Sequence, residues 1–84
     1  MEIGVEISLY PLQQQYRAPI HALIERLQTD SRLRVVTNSM STQIFGDYDQ
    51  VMALLTRELR GALSQGYPAA CVVKLVGPLG TEQG

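Results

Sequence analysis

Cysteine occurs once in this chain, at Cys71, histidine once, at His21, and tryptophan not at all. A lone cysteine excludes an internal disulfide and any cysteine-based metal cluster within one chain. It sits in the apolar run 69–73, where the thiol reads as a small buried hydrophobe with no histidine beside it in sequence. Charge of one sign is also missing. Seven basic residues against eight acidic ones give a net charge of −1, and the basic ones are scattered from Arg17 to Lys74. That leaves no footprint for nucleic acid or an anionic membrane. No apolar run approaches the ~20 residues that span a bilayer. The N-terminus alternates instead of forming the apolar block of a signal peptide, which places the chain in the cytoplasm. Phosphate loops, metal-ligand spacings and nucleophile constellations are absent too, so no cofactor and no catalytic residue is implied.

What is present is an ordinary globular composition, 45% hydrophobic and 18% charged over 84 residues. That length makes one small domain. Such a chain buries only about 60% of the surface its unfolded form exposes, so it gains from association.

Residues 2–10 alternate, with Ile3, Val5, Ile7 and Leu9 on one side and Glu2, Gly4, Glu6, Ser8 and Tyr10 on the other. A period of two marks a half-buried strand, and Pro11, which cannot donate to a ladder, stops it. The period then changes. Ile20, Leu23, Ile24 and Leu27 fall on one helical stripe, with Pro19 in the first turn. His21 lies to the flank of that stripe. Strands are expected at 33–37 and 41–46, where β-branched and aromatic residues flank the turn-forming Asn38-Ser39-Met40. Asp47 and Gln50 make a D-x-x-Q start for a second helix, 48–63, whose expected buried face is Tyr48, Val51, Met52, Leu55, Leu59, Ala62 and Leu63. Leu54 falls off that stripe and is expected to be exposed. Capping and the helix dipole account for Asp47 and Asp49 better than a paired-carboxylate site does. A fourth strand is expected at 69–76, followed by a frayed C-terminal tail at 77–84.

The order β-α-β-β-α-β, with right-handed crossovers, has one favoured solution. It is an α+β ferredoxin-like sandwich, an antiparallel sheet in the order 4-1-3-2 with both helices on one face. A single domain over 1–76 follows, with one sheet face left bare. A two-residue turn at Ser39-Met40 pairs Asn38 with Ser41, Val36 with Gln43, Arg34 with Phe45 and Val35 with Ile44. The bare face then carries Glu6, Ser8, Tyr10, Arg34, Val36, Asn38, Ser41, Gln43 and Phe45. A carboxylate, hydroxyls and amides among apolar walls make up either a small-ligand pocket or the polar seam of an oligomer interface.

The stretches V-E-I-S-L-Y-P-L at 5–12, Pro19-Ile20 and T-N-S-M-S-T-Q-I-F-G-D-Y-D-Q-V-M at 37–52 resemble the thiamine-binding YkoF-like family, also called the MTH1187 family. The resemblance runs over about residues 2–76 and is most specific over the central sixteen. It implies a ferredoxin-like fold, dimers or tetramers associating through their sheets, and non-catalytic binding of thiamine or its hydroxymethylpyrimidine moiety. It also implies a pocket from Glu6, Ser8, Thr37, Asn38, Ser41, Thr42 and Gln43, with Tyr10, Phe45 and Tyr48 as rings available for stacking. Hydroxyl and amide groups match the donors and acceptors of an aminopyrimidine, and a carboxylate accepts from its amine or balances a thiazolium charge.

Two other classes compete. One is a purely structural or regulatory association module. The other is an acylphosphatase-like hydrolase, a class that shares the fold and whose arginine and asparagine pair Arg17 and Asn38 resemble. That activity needs a phosphate-cradling loop after the first strand, and residues 11–16 contain no glycine to expose backbone N–H groups.

Overall fold

The computed structural model describes residues 1–30 and 32–80. Six elements follow one another: β1 (Glu2–Pro11), α1 (Arg17–Leu27), β2 (Arg34–Thr37), β3 (Thr42–Asp47), α2 (Tyr48–Ala62) and β4 (Ala69–Leu79). The strands form one antiparallel sheet in the order β2-β3-β1-β4, which is the predicted order taken from its other edge. The architecture is ferredoxin-like, with β1 and β3 at the centre.

The alternation of β1 decides which side is the core. Ile3, Val5, Ile7 and Leu9 are buried beneath the helices with Ile44, Leu23 and Leu27. Val35 pairs with Ile44, Val36 with Gln43 and Arg34 with Phe45, which is the predicted hairpin register. The turn closes through Asn38, whose N–H donates to the Ser41 carbonyl at 3.1 Å. Its side-chain Oδ1 accepts from the Met40 and Ser41 N–H groups at 2.8 and 3.1 Å. An asparagine that satisfies two turn amides fixes the turn length, and turn length fixes which hairpin residues face which way.

Helix α2 begins at the predicted cap, where Asp47 Oδ2 accepts from the Asp49 N–H at 3.2 Å. Its buried face is Val51, Leu54, Leu55, Glu58 and Ala62. Leu54 is 1% exposed, contrary to expectation, while Leu63 and Tyr48 are exposed. The expected stripe is turned by about 60° on a wheel of ~100° per residue. The cause is Glu58, a carboxylate at the middle of the buried face. Arg26 of α1 and Arg57 donate to its two oxygens, and together they satisfy a charge that would otherwise not be buried there.

Strand β4 is longer than expected. It continues to Leu79, which pairs with Glu2, so residues 77–79 are strand and not frayed tail. Pro78 does not end it because β4 lies at the sheet edge, where a missing N–H breaks no inner ladder. Gly80 follows the strand, and the remainder of the expected tail, 81–84, lies outside the described residues.

Candidate functional site

The helix-free face is a grid set by the strand registers. One row reads Val36, Gln43, Glu6 and Lys74 from β2 to β4. The next reads Arg34, Phe45, Gly4 and Val76. Where the rows meet there is a hollow of about 210 Å³ lined by Gly4, Glu6, Gln43, Phe45, Lys74 and Val76. Gly4 is its floor. A Cβ at that position would stand 3.1 Å from the Phe45 ring and 3.2 Å from a Val76 methyl. The hollow therefore exists because β1 carries no side chain at this point.

Glu6 is the charged wall. Its Oε2 accepts from Ser41 Oγ at 2.9 Å, and Lys74 Nζ lies 3.6 Å from its Oε1. The Ser41 hydroxyl and, after it, the Lys74 ammonium hold the carboxyl below its ordinary value, with a smaller contribution from the Gln43 amide. The group is thus an anion at neutral pH, fixed in direction and open to solvent on its remaining lone pairs. Phe45 is the apolar wall. The Arg34 guanidinium lies over its ring at 4.2 Å from the centroid, so the cation occupies one face of the ring.

The residues singled out from sequence do not all share one place. Glu6, Gln43 and Phe45 line the hollow, and Ser41 reaches it only through its hydrogen bond to Glu6. Ser8, opposite Val72 of β4, lines with Ser41, Asn38 and Tyr10 the separate cleft at the hairpin tip beside α1. Thr37 and Thr42 face the helices instead, with their hydroxyls hydrogen-bonded at 3.1 Å, and Thr42 is buried. They belong to the same cleft, of about 190 Å³, between the hairpin and Ile20, Leu23 and Ile24 of α1. Asn38 commits its side-chain carbonyl oxygen to its own turn, which leaves its NH₂ for any ligand. Tyr10 is exposed and pairs with Ala70, beyond the hairpin tip. Tyr48 stands at the far end of the sheet, where its N–H donates to the Met1 carbonyl at 2.8 Å. Neither ring borders the hollow, and Tyr10 borders the cleft beside α1.

Sequence reasoning missed Gly4, Lys74 and Val76 as lining residues. The alternation of β1 already put Gly4 beside Glu6. What it lacked was the β1–β4 register, which no short turn determines. Cys71 is half-buried on the helix side, and burial pushes its thiol up, which keeps it from acting as a thiolate.

A family model described as thiamine-binding protein matches residues 5–75, which takes in all six elements at least in part. The chain belongs to the thiamine-binding protein family. Among curated proteins, none matches it. Solved structures of similar shape include a Streptococcus pneumoniae protein, 27% identical with a TM-score of 0.83, over 94% of this chain and 90% of that one. A Thermotoga maritima protein, named as a candidate for thiamine biosynthesis or salvage, is 12% identical with a TM-score of 0.84, over 99% and 94% of the two chains. A domain of unknown function from Bacillus cereus is 14% identical with a TM-score of 0.79, over 99% and 86%. At 12 and 14% identity the last two bear on the fold alone. Among the described residues, no helix of this thiamine-binding family member is long and apolar enough to cross a membrane.

Proposed function

We propose that this domain binds thiamine, or the hydroxymethylpyrimidine moiety of thiamine, without catalysis, in the hollow on its helix-free sheet face. The observation that carries the reading is the oriented carboxylate of Glu6, held by Ser41 above a glycine floor, in a chain of the thiamine-binding family. An aminopyrimidine is flat and edged with one amine donor and ring-nitrogen acceptors. Glu6 accepts from the amine and the Gln43 NH₂ donates to a ring nitrogen. Phe45 and Val76 supply the apolar sides. In the same reading the domain works in the cytoplasm and self-associates as a dimer or tetramer, in which a second copy closes the open side of the hollow.

A second seat has its own support. Ser8, Thr37, Asn38, Ser41 and Thr42, all in the set implied by the family resemblance, line the cleft beside α1. A pair of variants separates the two seats. Glu6 lines only the open-face hollow and Thr42 only the helix-side cleft, and Glu6→Gln keeps an oxygen that accepts from Ser41. Isothermal titration with thiamine and with hydroxymethylpyrimidine is expected to show a loss of about tenfold or more for Glu6→Gln and little change for Thr42→Val. The reverse pattern moves the site to the α1 cleft. Failure of both compounds to bind the wild-type domain, with unrelated heteroaromatics as controls, leaves a structural association module.

A further inference from the structure

Lys74 stands on β4 directly across from Glu6 and contributes the only ammonium to the hollow's lining. Its Nζ is 3.6 Å from Glu6 Oε1, while Ser41 holds Oε2. The carboxylate therefore already faces one cation before any ligand arrives. A neutral ligand that hydrogen-bonds to Glu6 and Gln43 leaves this pair in place. A ligand with a fixed positive charge must push the ammonium away from the carboxylate or sit beside it unscreened. Like charges about 4 Å apart repel by roughly twice the thermal energy in bulk water and by several times it near a protein surface, before salt screening.

From this geometry we propose that Lys74 sets the charge selectivity of the hollow, favouring an uncharged aminopyrimidine over a ligand with a fixed cation such as a thiazolium. This deepens the binding reading above and rests on it. Lys74 is a specificity residue under this assignment and is not needed for the hollow to form, since Gly4, Phe45 and Val76 shape the floor and walls. Its side chain is largely in solvent on an edge strand, so replacing it removes the charge and leaves the core packing intact.

The test is calorimetric titration of wild type, Lys74→Met and Lys74→Arg with hydroxymethylpyrimidine and with thiamine, at low and high salt. Lys74→Met is expected to raise thiamine affinity about three- to tenfold at low salt, and by less at high salt. Hydroxymethylpyrimidine affinity is expected to stay within about twofold across the set, and Lys74→Arg to keep the wild-type ratio of the two ligands. If both compounds bind and the ratio is the same in wild type and Lys74→Met, the assignment to Lys74 is overturned while the binding reading stands. If neither compound binds a wild-type domain that melts cooperatively, the binding reading fails and this inference falls with it.

Discussion

A strand residue without a side chain creates the hollow, and the residues around it decide what can enter. Gly4 sits between Phe45 and Val76, and a methyl group there would press on both. Glycine inside a strand ordinarily costs about 0.5–1 kcal/mol relative to alanine, and overpacking costs about 1–3 kcal/mol. These oppose one another, so Gly4→Ala is expected to change stability by no more than ~1–2 kcal/mol in either direction. Because the methyl fills the floor, hydroxymethylpyrimidine affinity should fall at least about tenfold, the cost of a ring that no longer seats. Titration beside a melting curve measures both. Unchanged affinity would place the ligand elsewhere. Strand alternation also explains why the site was half legible from sequence. The pattern of β1 and the Asn38 turn were enough to put Glu6, Ser41, Gln43 and Phe45 on one face. Thr37 and Thr42 entered the candidate set through family resemblance, and they sit one residue out of phase with Ser41 and Gln43. In a strand, one residue out of phase means the opposite face.

At the scale of elements, the joint between α1 and α2 turns on Glu58. Burial alone would raise its carboxyl, but the Arg26 and Arg57 guanidiniums outweigh that and hold it below its ordinary 4.5. Asp30, after α1, is drawn down to about 2 by the side chain and backbone N–H of Arg32. Both folded-state values lie below the unfolded ones. Their stabilisation is thus fully present above the ordinary carboxylate range and lost as pH falls through the depressed values. The domain is expected to lose stability steadily from about pH 4.5 downward. Arg26→Met should cost about 1–3 kcal/mol at pH 7, because a buried carboxylate loses one of its two charged donors. It should also weaken the acid dependence, since less of the Glu58 shift remains to be lost. Urea melts at pH 7 and pH 3 read both effects, and an acid profile unaltered by the variant would assign the dependence to other carboxylates. Glu58 is also where the expected face of α2 departs from the observed one. A glutamate normally marks the wet side of a helix, so the apolar stripe is drawn away from it and Leu54 is left outside. Arg57 of the same helix meets one carboxylate oxygen, but the other is met by Arg26, 32 residues earlier in the chain, and a single helix contains no sign of that partner.

For the whole molecule, the question is what meets the open face. A chain of this length with helices on one side leaves Tyr10, Val36, Val72 and Val76 in solvent on the other, with Val72 58% exposed. Scattered apolar side chains need no explanation, but four on one sheet face form a patch of the kind that pairs with a partner. Leu54, expected to be exposed on α2, is buried and adds nothing to a competing surface there. Association through the sheet therefore predicts a dimer or tetramer by sedimentation velocity at tens of micromolar, well above the dissociation constants that standard interfaces of ~800 Å² per partner support. Val36→Lys together with Val72→Lys adds two charges to the patch on edge strands β2 and β4, away from the central β1 and β3 and outside the lining of the hollow. The double variant is expected to sediment as a folded monomer, its secondary structure unaltered by circular dichroism. A wild-type monomer at the same concentration would remove association from the picture, and the hollow would then open directly to solvent. Ligand linkage separates these cases further. If a second copy closes the hollow, saturating hydroxymethylpyrimidine should drive the weight-average mass upward in the wild type and leave the double variant monomeric.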